Sequence, residues 1–242
     1  MSRLTQASNP LMQDENYTYD LVGNRLTANS TDPWSYNANN ELLSYPGTSF
    51  EYDDSGNAVT ISSGGQAMEF VYDVADRIVR VEDGIGGEIA QYYYDPFGRR
   101  LWKEVDGTRT YFLYADEGLI GEYGATGNEI RAYGYVPGST WGTQPVYLKT
   151  AGSTYFYQND HLGTPQKLID STGAIVWSGL YDSFGIFQVE TSQVANNLRF
   201  PGMYADNETG LYYNFHRYYD PITGRYLQAD PLAEAGRATA TN

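Results

Sequence analysis

The amino-acid sequence predicts an all-β fold of tandem β-hairpins with little helix. Three observations carry that reading. The chain of 242 residues holds 24 Tyr, 9 Phe and 4 Trp beside 26 Gly, a pairing of large amphipathic rings with turn formers that favours strands joined by tight turns. An aromatic–Asp unit recurs along the first half. No long stretch carries the apolar spacing of an amphipathic helix, and the one helix-start signal is Asp230-Pro231 before Leu-Ala-Glu-Ala.

The repeats appear in order as Tyr17-Thr-Tyr19-Asp20-Leu-Val-Gly23-Asn24, Phe50-Glu-Tyr52-Asp53-Asp-Ser-Gly56-Asn57, Phe70-Val-Tyr72-Asp73-Val-Ala-Asp76-Arg77 and Tyr92-Tyr-Tyr94-Asp95-Pro-Phe-Gly98-Arg99. Degenerate copies stand at Ser35-Tyr36-Asn37 and Phe112-Leu-Tyr114. The second aromatic falls at 19, 36, 52, 72, 94 and 114, giving steps of 17, 16, 20, 22 and 20 residues. Aromatics two residues apart share one face of a strand. The Asp or Asn that follows can bond the backbone ahead of it, and the Gly three positions on supplies a positive φ. The returning strand comes next, as in Val59-Thr-Ile61 and Ile78-Val79-Arg80-Val81. One repeat is therefore one hairpin. A lone hairpin is marginal in water, so neighbours must pair edge to edge into an extended, curling sheet. Arg3-Leu4-Thr5 reads as the returning strand of an earlier repeat, so the chain reads as part of something longer, with unpaired sheet edges open to flanking repeats or to self-association.

Charge and composition narrow the function classes. A net charge of −15, from 30 acidic and 15 basic residues, argues against a nucleic-acid surface or a general anionic-membrane adhesin, because both need clustered Lys and Arg. The surplus acids read as a solvated outer face. The absence of Cys removes disulfides and thiolate metal sites, leaving packing and strand pairing to hold the fold. The N-terminal segment has no apolar core of a secretory signal, and no run approaches the roughly 20 apolar residues of a membrane span. The expectation is synthesis in the cytoplasm, with any export by a specialised system.

Beyond Gly138-Ser-Thr-Trp-Gly-Thr-Gln-Pro145 the spacing loosens, although strand chemistry continues through Thr154-Tyr-Phe-Tyr157 and Ala174-Ile-Val-Trp177. The expected organisation is a repeat array over 1–138, a second module over 139–232 and a flexible tail over 233–242. Three segments of the second block carry a resemblance. They are Asn159-Asp160-His161-Leu162-Gly163-Thr164-Pro165, then Tyr181-Asp182-Ser-Phe184-Gly185, and then Pro201-Gly-Met-Tyr-Ala-Asp-Asn-Glu208-Thr209-Gly210-Leu211-Tyr212-Tyr213-Asn214. The last continues through Arg217-Tyr218-Tyr219-Asp220-Pro221-Ile-Thr-Gly224-Arg225-Tyr226-Leu227-Gln-Ala-Asp230-Pro231. This ordered string of about seventy residues resembles the Rhs-associated core of bacterial polymorphic toxins, a family similar in repeat design to the C-components of Tc toxins and to the teneurin YD shells. The resemblance implies that the sheet is an open segment of a spiralling β-cocoon enclosing a C-terminal toxin, a role in interbacterial competition.

The resemblance also implies self-cleavage by a pair of aspartates in successive Asp-Pro motifs. Asp230 matches the first, and Arg225 the Arg shortly before it. Ala233-Glu-Ala-Gly236 stands where the pattern continues to a second carboxylate, so autoproteolysis is not expected of this chain and it is read as no enzyme. Asp220 is read as a turn residue. Asp53-Asp54-Ser55-Gly56-Asn57 lacks the alternating ligands of a calcium loop. His161 and His216 offer too little for a zinc site or a Ser-His-Asp triad. His161 is expected to make a structural hydrogen bond in its corner, and His216 to occupy a strand. No cofactor or metal is expected. The leading expectation is a non-catalytic wall fragment whose partners are flanking repeats and a toxin cargo. A second reading has aromatic rows, tested at Tyr92 and Tyr94, binding glycan or another protein, and a third is an incomplete aspartyl autoprotease.

Overall fold

A computed structural model describes residues 3–29 and 32–230. They form two compact units, one of residues up to Glu88 with those from Tyr226 on, the other Ile89–Arg225. Every regular element among the described residues is a strand.

The first unit opens with a three-stranded sheet of β1 (Gln6–Ala7), β2 (Glu15–Tyr19) and β3 (Arg25–Ala28). Six strands then pair antiparallel in chain order: β4 (Ser35–Tyr36), β5 (Leu42–Tyr45), β6 (Thr48–Tyr52), β7 (Ala58–Ser63), β8 (Gln66–Tyr72) and β9 (Ile78–Asp83). The predicted return at Arg3-Leu4-Thr5 begins later, at Gln6, although the Thr5 carbonyl already accepts the Tyr17 N–H at 2.9 Å.

The second unit continues the same plan through ten strands: β10 (Glu88–Tyr94), β11 (Arg100–Val105), β12 (Thr108–Ala115), β13 (Gly118–Gly124), β14 (Glu129–Tyr135), β15 (Pro145–Thr150), β16 (Ser153–Asn159), β17 (Pro165–Ile169), β18 (Ile175–Tyr181) and β19 (Phe187–Ser192). A separate layer follows, with β20 (Tyr204–Asp206), β21 (Leu211–Asn214) and β22 (Arg217–Asp220) antiparallel, and then the short β23 (Arg225–Tyr226). Among the described residues, β4 of the first unit and β19 of the second each pair along one side only.

The repeat corner is built around an Asp carboxylate. Asp53 Oδ1 accepts the N–H groups of Ser55 and Asn57 at 3.0 and 2.9 Å, and Gly56 turns the chain at φ +82°. Asp20, Asp73, Asp95, Asp160 and Asp182 repeat the motif. Where Gly is missing, Asp76 (φ 56°) and Asn40 (φ 64°) take the left-handed position, which short polar side chains tolerate best after Gly. The register slips by one residue at each second aromatic, between Glu51 and Tyr52 and between Val71 and Tyr72. Such bulges bend a strand and increase its local twist.

In several repeats the second aromatic also ties the hairpin to the one before. Tyr36 donates its hydroxyl to the Arg25 carbonyl at 2.7 Å, Tyr52 to Leu42 at 3.0 Å, Tyr72 to Ala58 at 2.7 Å, Tyr114 to Arg100 at 3.0 Å and Tyr135 to Leu119 at 3.1 Å. The acceptor is always the first residue after the preceding corner. Alternation explains the geometry: the first aromatic, such as Phe50 or Phe70, is buried in the core, and the second reaches back along the same face. Tyr72→Phe removes one rung and leaves the buried Ala58 carbonyl short of a partner. It is expected to cost about 0.5–1.5 kcal/mol, measured by urea unfolding; no loss would mean that the hydroxyl contributes nothing beyond its ring.

Two expectations for single residues are corrected. His216 lies in the turn with Phe215 (φ 56°), between β21 and β22, because Tyr213–Tyr218 and Asn214–Arg217 pair directly and leave two residues to reverse the chain. His161 is exposed and, among the described residues, makes no side-chain hydrogen bond; Asp160 holds that corner instead through the Leu162 and Thr164 N–H groups. The helix signal from Pro231 and the tail over 233–242 lie outside the described residues.

Candidate functional site

The second unit places a cluster of charge where the repeat pattern puts apolar side chains. The first residue after a corner faces inward, as Leu42, Ala58 and Ile78 do. At this register β11 carries Arg100, fully buried. Its guanidinium makes a two-pronged bond to Asp206 of β20, Nη1 to Oδ2 at 2.5 Å and Nη2 to Oδ1 at 2.9 Å. Lys103, brought to the same side by the one-residue register shift between β10 and β11 at Tyr93/Tyr94, bonds Asp206 Oδ1 at 3.0 Å and both oxygens of Glu208 at 3.0 Å. Rings enclose the pair, with the guanidinium carbon of Arg100 4.5–5.0 Å from the centres of Tyr213, Phe112 and Tyr92.

Burial by itself would raise the Asp206 carboxyl, but Arg100 and Lys103 outweigh it and hold that group below the usual carboxylate range. Burial likewise works against the Arg100 charge, and Asp206 more than restores it. Two cations meet two carboxylates, so the cluster is neutral. A carboxylate with no exposed face and three hydrogen bonds from two cations is poorly placed to take up a substrate proton; what it can do is fasten the β20–β22 layer to the inner face of β10–β12. Tyr94 and Tyr218 hydroxyls at 3.1 Å, and Tyr213 accepting the Arg100 N–H at 2.8 Å, extend the fastening.

A second buried group lies on the neighbouring strands. Glu122 of β13 accepts Tyr133 Oη at 2.5 Å and Arg131 Nη1 at 2.7 Å. Arg199 is also buried, against the faces of Phe187 (4.5 Å) and Trp177 (5.1 Å), and donates to the Asn196 and Leu198 carbonyls. Burial pulls its basicity down. The loop over 137–144 meets the strand layer backbone to backbone: a Cβ on Gly142 would stand 2.8 Å from the Gly202 Cα.

The residues singled out from sequence fall into three places. Tyr19, Tyr52 and Tyr72, with Asp20, Asp53, Asp73, Asp95, Gly23, Gly56 and Gly98, build corners and rungs. Asp160, Gly163, Tyr181, Asp182 and Gly185 form later corners of the same design, and Gly210, Tyr212, Tyr213, Arg217, Tyr218, Tyr219, Asp220 and Gly224 build the separate layer and its turns. Asp220 caps a turn through the Ile222 N–H (2.9 Å) and Thr223 Oγ1 (2.8 Å). Arg225 and Asp230 are half-buried, Arg225 in β23; Pro231 is outside the described residues. Among the described residues no three His, Asp or Glu converge on a metal position, and no helix is long and apolar enough to cross a membrane.

Tyr92 and Tyr94 do not form an outward aromatic row: they are 2% and 8% exposed, pointing into the core, as period-two alternation requires once Tyr93 points out. Tyr93 stacks on Trp102 at 5.7 Å, whose ring also lies 3.9 Å from the Arg109 guanidinium. Nor do all acids face solvent, since Asp206 and Glu122 are interior. The charged cluster itself escaped sequence reading, although Asp206 and Glu208 lie within the resembling string. The available signal was a charge, Arg100, at the first position after a corner, where Leu42, Ala58 and Ile78 stand in other repeats; the register shift that brings Lys103 to the same side leaves no mark in the spacing.

Comparison with known proteins agrees with this architecture. The family model described as Teneurin YD-shell matches residues 1–241. The chain is 30% identical over 272 aligned positions to double-stranded DNA deaminase toxin A of Burkholderia cenocepacia, covering 98% of this chain and 19% of that protein. It is 31% identical over 236 to toxin protein Tse5 of Pseudomonas aeruginosa, covering 82% and 18%. It thus spans about a fifth of the length of either relative. Among solved structures, the TcdB2-TccC3 crystal structure superposes with a TM-score of 0.52 at 17% identity, over 94% of this chain and 17% of that one; this likeness concerns the fold.

Proposed function

The chain belongs to the teneurin YD-shell family, and from that premise we propose that it is a non-catalytic wall segment of a longer Rhs-type protein, enclosing and helping to deliver a C-terminal toxin domain. The observation that carries the reading is how the chemistry-bearing residues are used. The repeated tyrosines lock hairpin to hairpin, the aspartates hold corners, and the buried ion pair Arg100–Asp206 fastens a second layer. A barrier needs such continuous fastening, because each hairpin alone is too small to hold its face away from water.

In this reading the array over 1–138 and the core module over 139–232 are successive parts of one wall, with the Gly-rich loop before β15 between them. The relatives are named as toxins, and the chain corresponds to a fraction of each; in this reading their activities belong to regions outside the matched part. Asp230 and Arg225 belong, in a parent protein, to the end of the core. Flanking repeats and the cargo are the partners, and export runs by a specialised delivery route.

The test is protection of cargo. In the full-length protein, the downstream domain is expected to resist added protease while the shell is intact and to be degraded when Asp206→Ala loosens the wall. A downstream domain cleaved equally fast with and without the shell region would refute enclosure.

A further inference from the structure

The sequence contains two Asp-Gly dipeptides, Asp83-Gly84 and Asp106-Gly107. In this pair the Gly amide nitrogen can attack the Asp side-chain carboxyl carbon, because no side chain on Gly hinders the approach. The two stand in opposite environments. Asp83 is half-buried, and its Oδ1 is held by the Ile85 and Gly87 N–H groups at 3.1 and 2.6 Å. The nucleophile beside it is occupied as well, since the Gly84 N–H donates to the Ala67 carbonyl at 3.0 Å. Gly84 also packs tightly, with its Cβ position 2.7 Å from the Ala67 Cβ.

Asp106-Gly107 is the two-residue turn between β11 and β12. Its φ values of 50° and 70° are those of the type I′ hairpin turn that Asp-Gly favours. Asp106 is exposed, and among the described residues its carboxylate has no hydrogen-bond partner. Among the described residues the Gly107 N–H donates to no backbone acceptor, and none of them lies within 4 Å of the position a Cβ would take. Electrophile and nucleophile are both free at one site and both engaged at the other.

We propose that Asp106-Gly107 is a site of spontaneous isomerisation to isoaspartate, and that the fold protects Asp83-Gly84 from the same reaction. The Gly107 nitrogen forms a bond to Asp106 Cγ, and the carboxyl hydroxyl leaves as water with the amide proton. The resulting succinimide takes up one water at the former main-chain carbonyl, which becomes a free α-carboxylate while the chain continues through the β-carboxyl. No atom is gained or lost overall. The product inserts a methylene into the backbone between Val105 and Thr108, a directly paired couple, and so loosens the hairpin whose β11 strand carries Arg100 and Lys103.

The experiment is ageing of the folded chain at mildly acidic pH and body temperature. Isoaspartate is then mapped by peptide digestion, electron-transfer fragmentation and methylation with an isoaspartyl methyltransferase. IsoAsp106 is expected to accumulate at least about tenfold faster than isoAsp83, as breaking the bonds that engage Asp83 and Gly84 first would slow the reaction by that order. The same ageing in denaturant is expected to equalise the two sites. Equal rates in the folded chain would overturn the proposal, and so would a contrast that persists when the chain is unfolded.

Discussion

Arg100→Met is expected to destabilise the second unit by about 3–5 kcal/mol, the cost of leaving one member of a buried pair without its partner. Arg100 and Asp206 are 1% and 0% exposed at their side chains, so water cannot replace the lost donor. Lys103 would remain on Asp206, but its ammonium contacts a single oxygen and is shared with Glu208. Asp206→Leu alone is expected to cost as much, since it leaves the Arg100 charge buried among Tyr92, Phe112 and Tyr213. The double variant Arg100→Met with Asp206→Leu is expected to recover most of that loss, because neither charge then remains to be desolvated and Lys103 keeps Glu208. Urea unfolding followed by circular dichroism measures all three. Strictly additive losses in the double variant would show that the two residues do not act as a pair.

The second large effect is alkaline. Burial raises the phenols of Tyr92, Tyr94, Tyr114, Tyr133, Tyr157, Tyr204 and Tyr218 well above the ordinary tyrosine value, and neighbouring carboxylates add to it at Tyr92 (Asp206, Glu208) and Tyr133 (Glu122). Tyr213 is pushed up to about 12. A group whose folded pKa is raised stabilises the fold fully below its unfolded pKa, and that contribution is lost as pH rises toward the folded value. Each such tyrosine therefore withdraws about 1.4 kcal/mol per pH unit above roughly pH 10. Several acting together exceed the 5–15 kcal/mol by which domains are typically stable. Cooperative unfolding is expected within one to two units above pH 10 (roughly), with tyrosinate absorbance and loss of circular dichroism moving together. Tyrosines that titrate one by one around pH 10 with the strands intact would contradict this. The acid side has the opposite sign: Asp206, with a lowered carboxyl, stabilises above the ordinary Asp value and loses that contribution as pH falls toward its folded one.

Much of this was legible in the residues. Aromatic, any residue, Tyr, Asp, with Gly three places on, is a local instruction: alternation sets the buried face, the carboxylate reaches N–H groups two and four residues ahead, and Gly takes the positive φ. None of these needs a distant partner, so strands, corners and pairing order follow from spacing alone. The His216 turn was missed because alternation within Tyr212–Tyr219 allows a continuous strand as readily as a two-residue reversal; only the pairing of Tyr213 with Tyr218 separates them. Tyr92 and Tyr94 were ambiguous for a related reason, since a period of two divides residues into two faces without saying which one meets the core.

By itself the sequence determined the repeating hairpin, its corner chemistry and the family. Tertiary structure alone decided which charges are interior. Arg100 and Asp206 are 106 residues apart, and no local period links them; they meet because the layer of β20–β22 folds back over β10–β12. A charge on a strand is inexpensive facing water and costly facing a core. The side it faces, and the partner that makes burial tolerable, are properties of packing between distant segments.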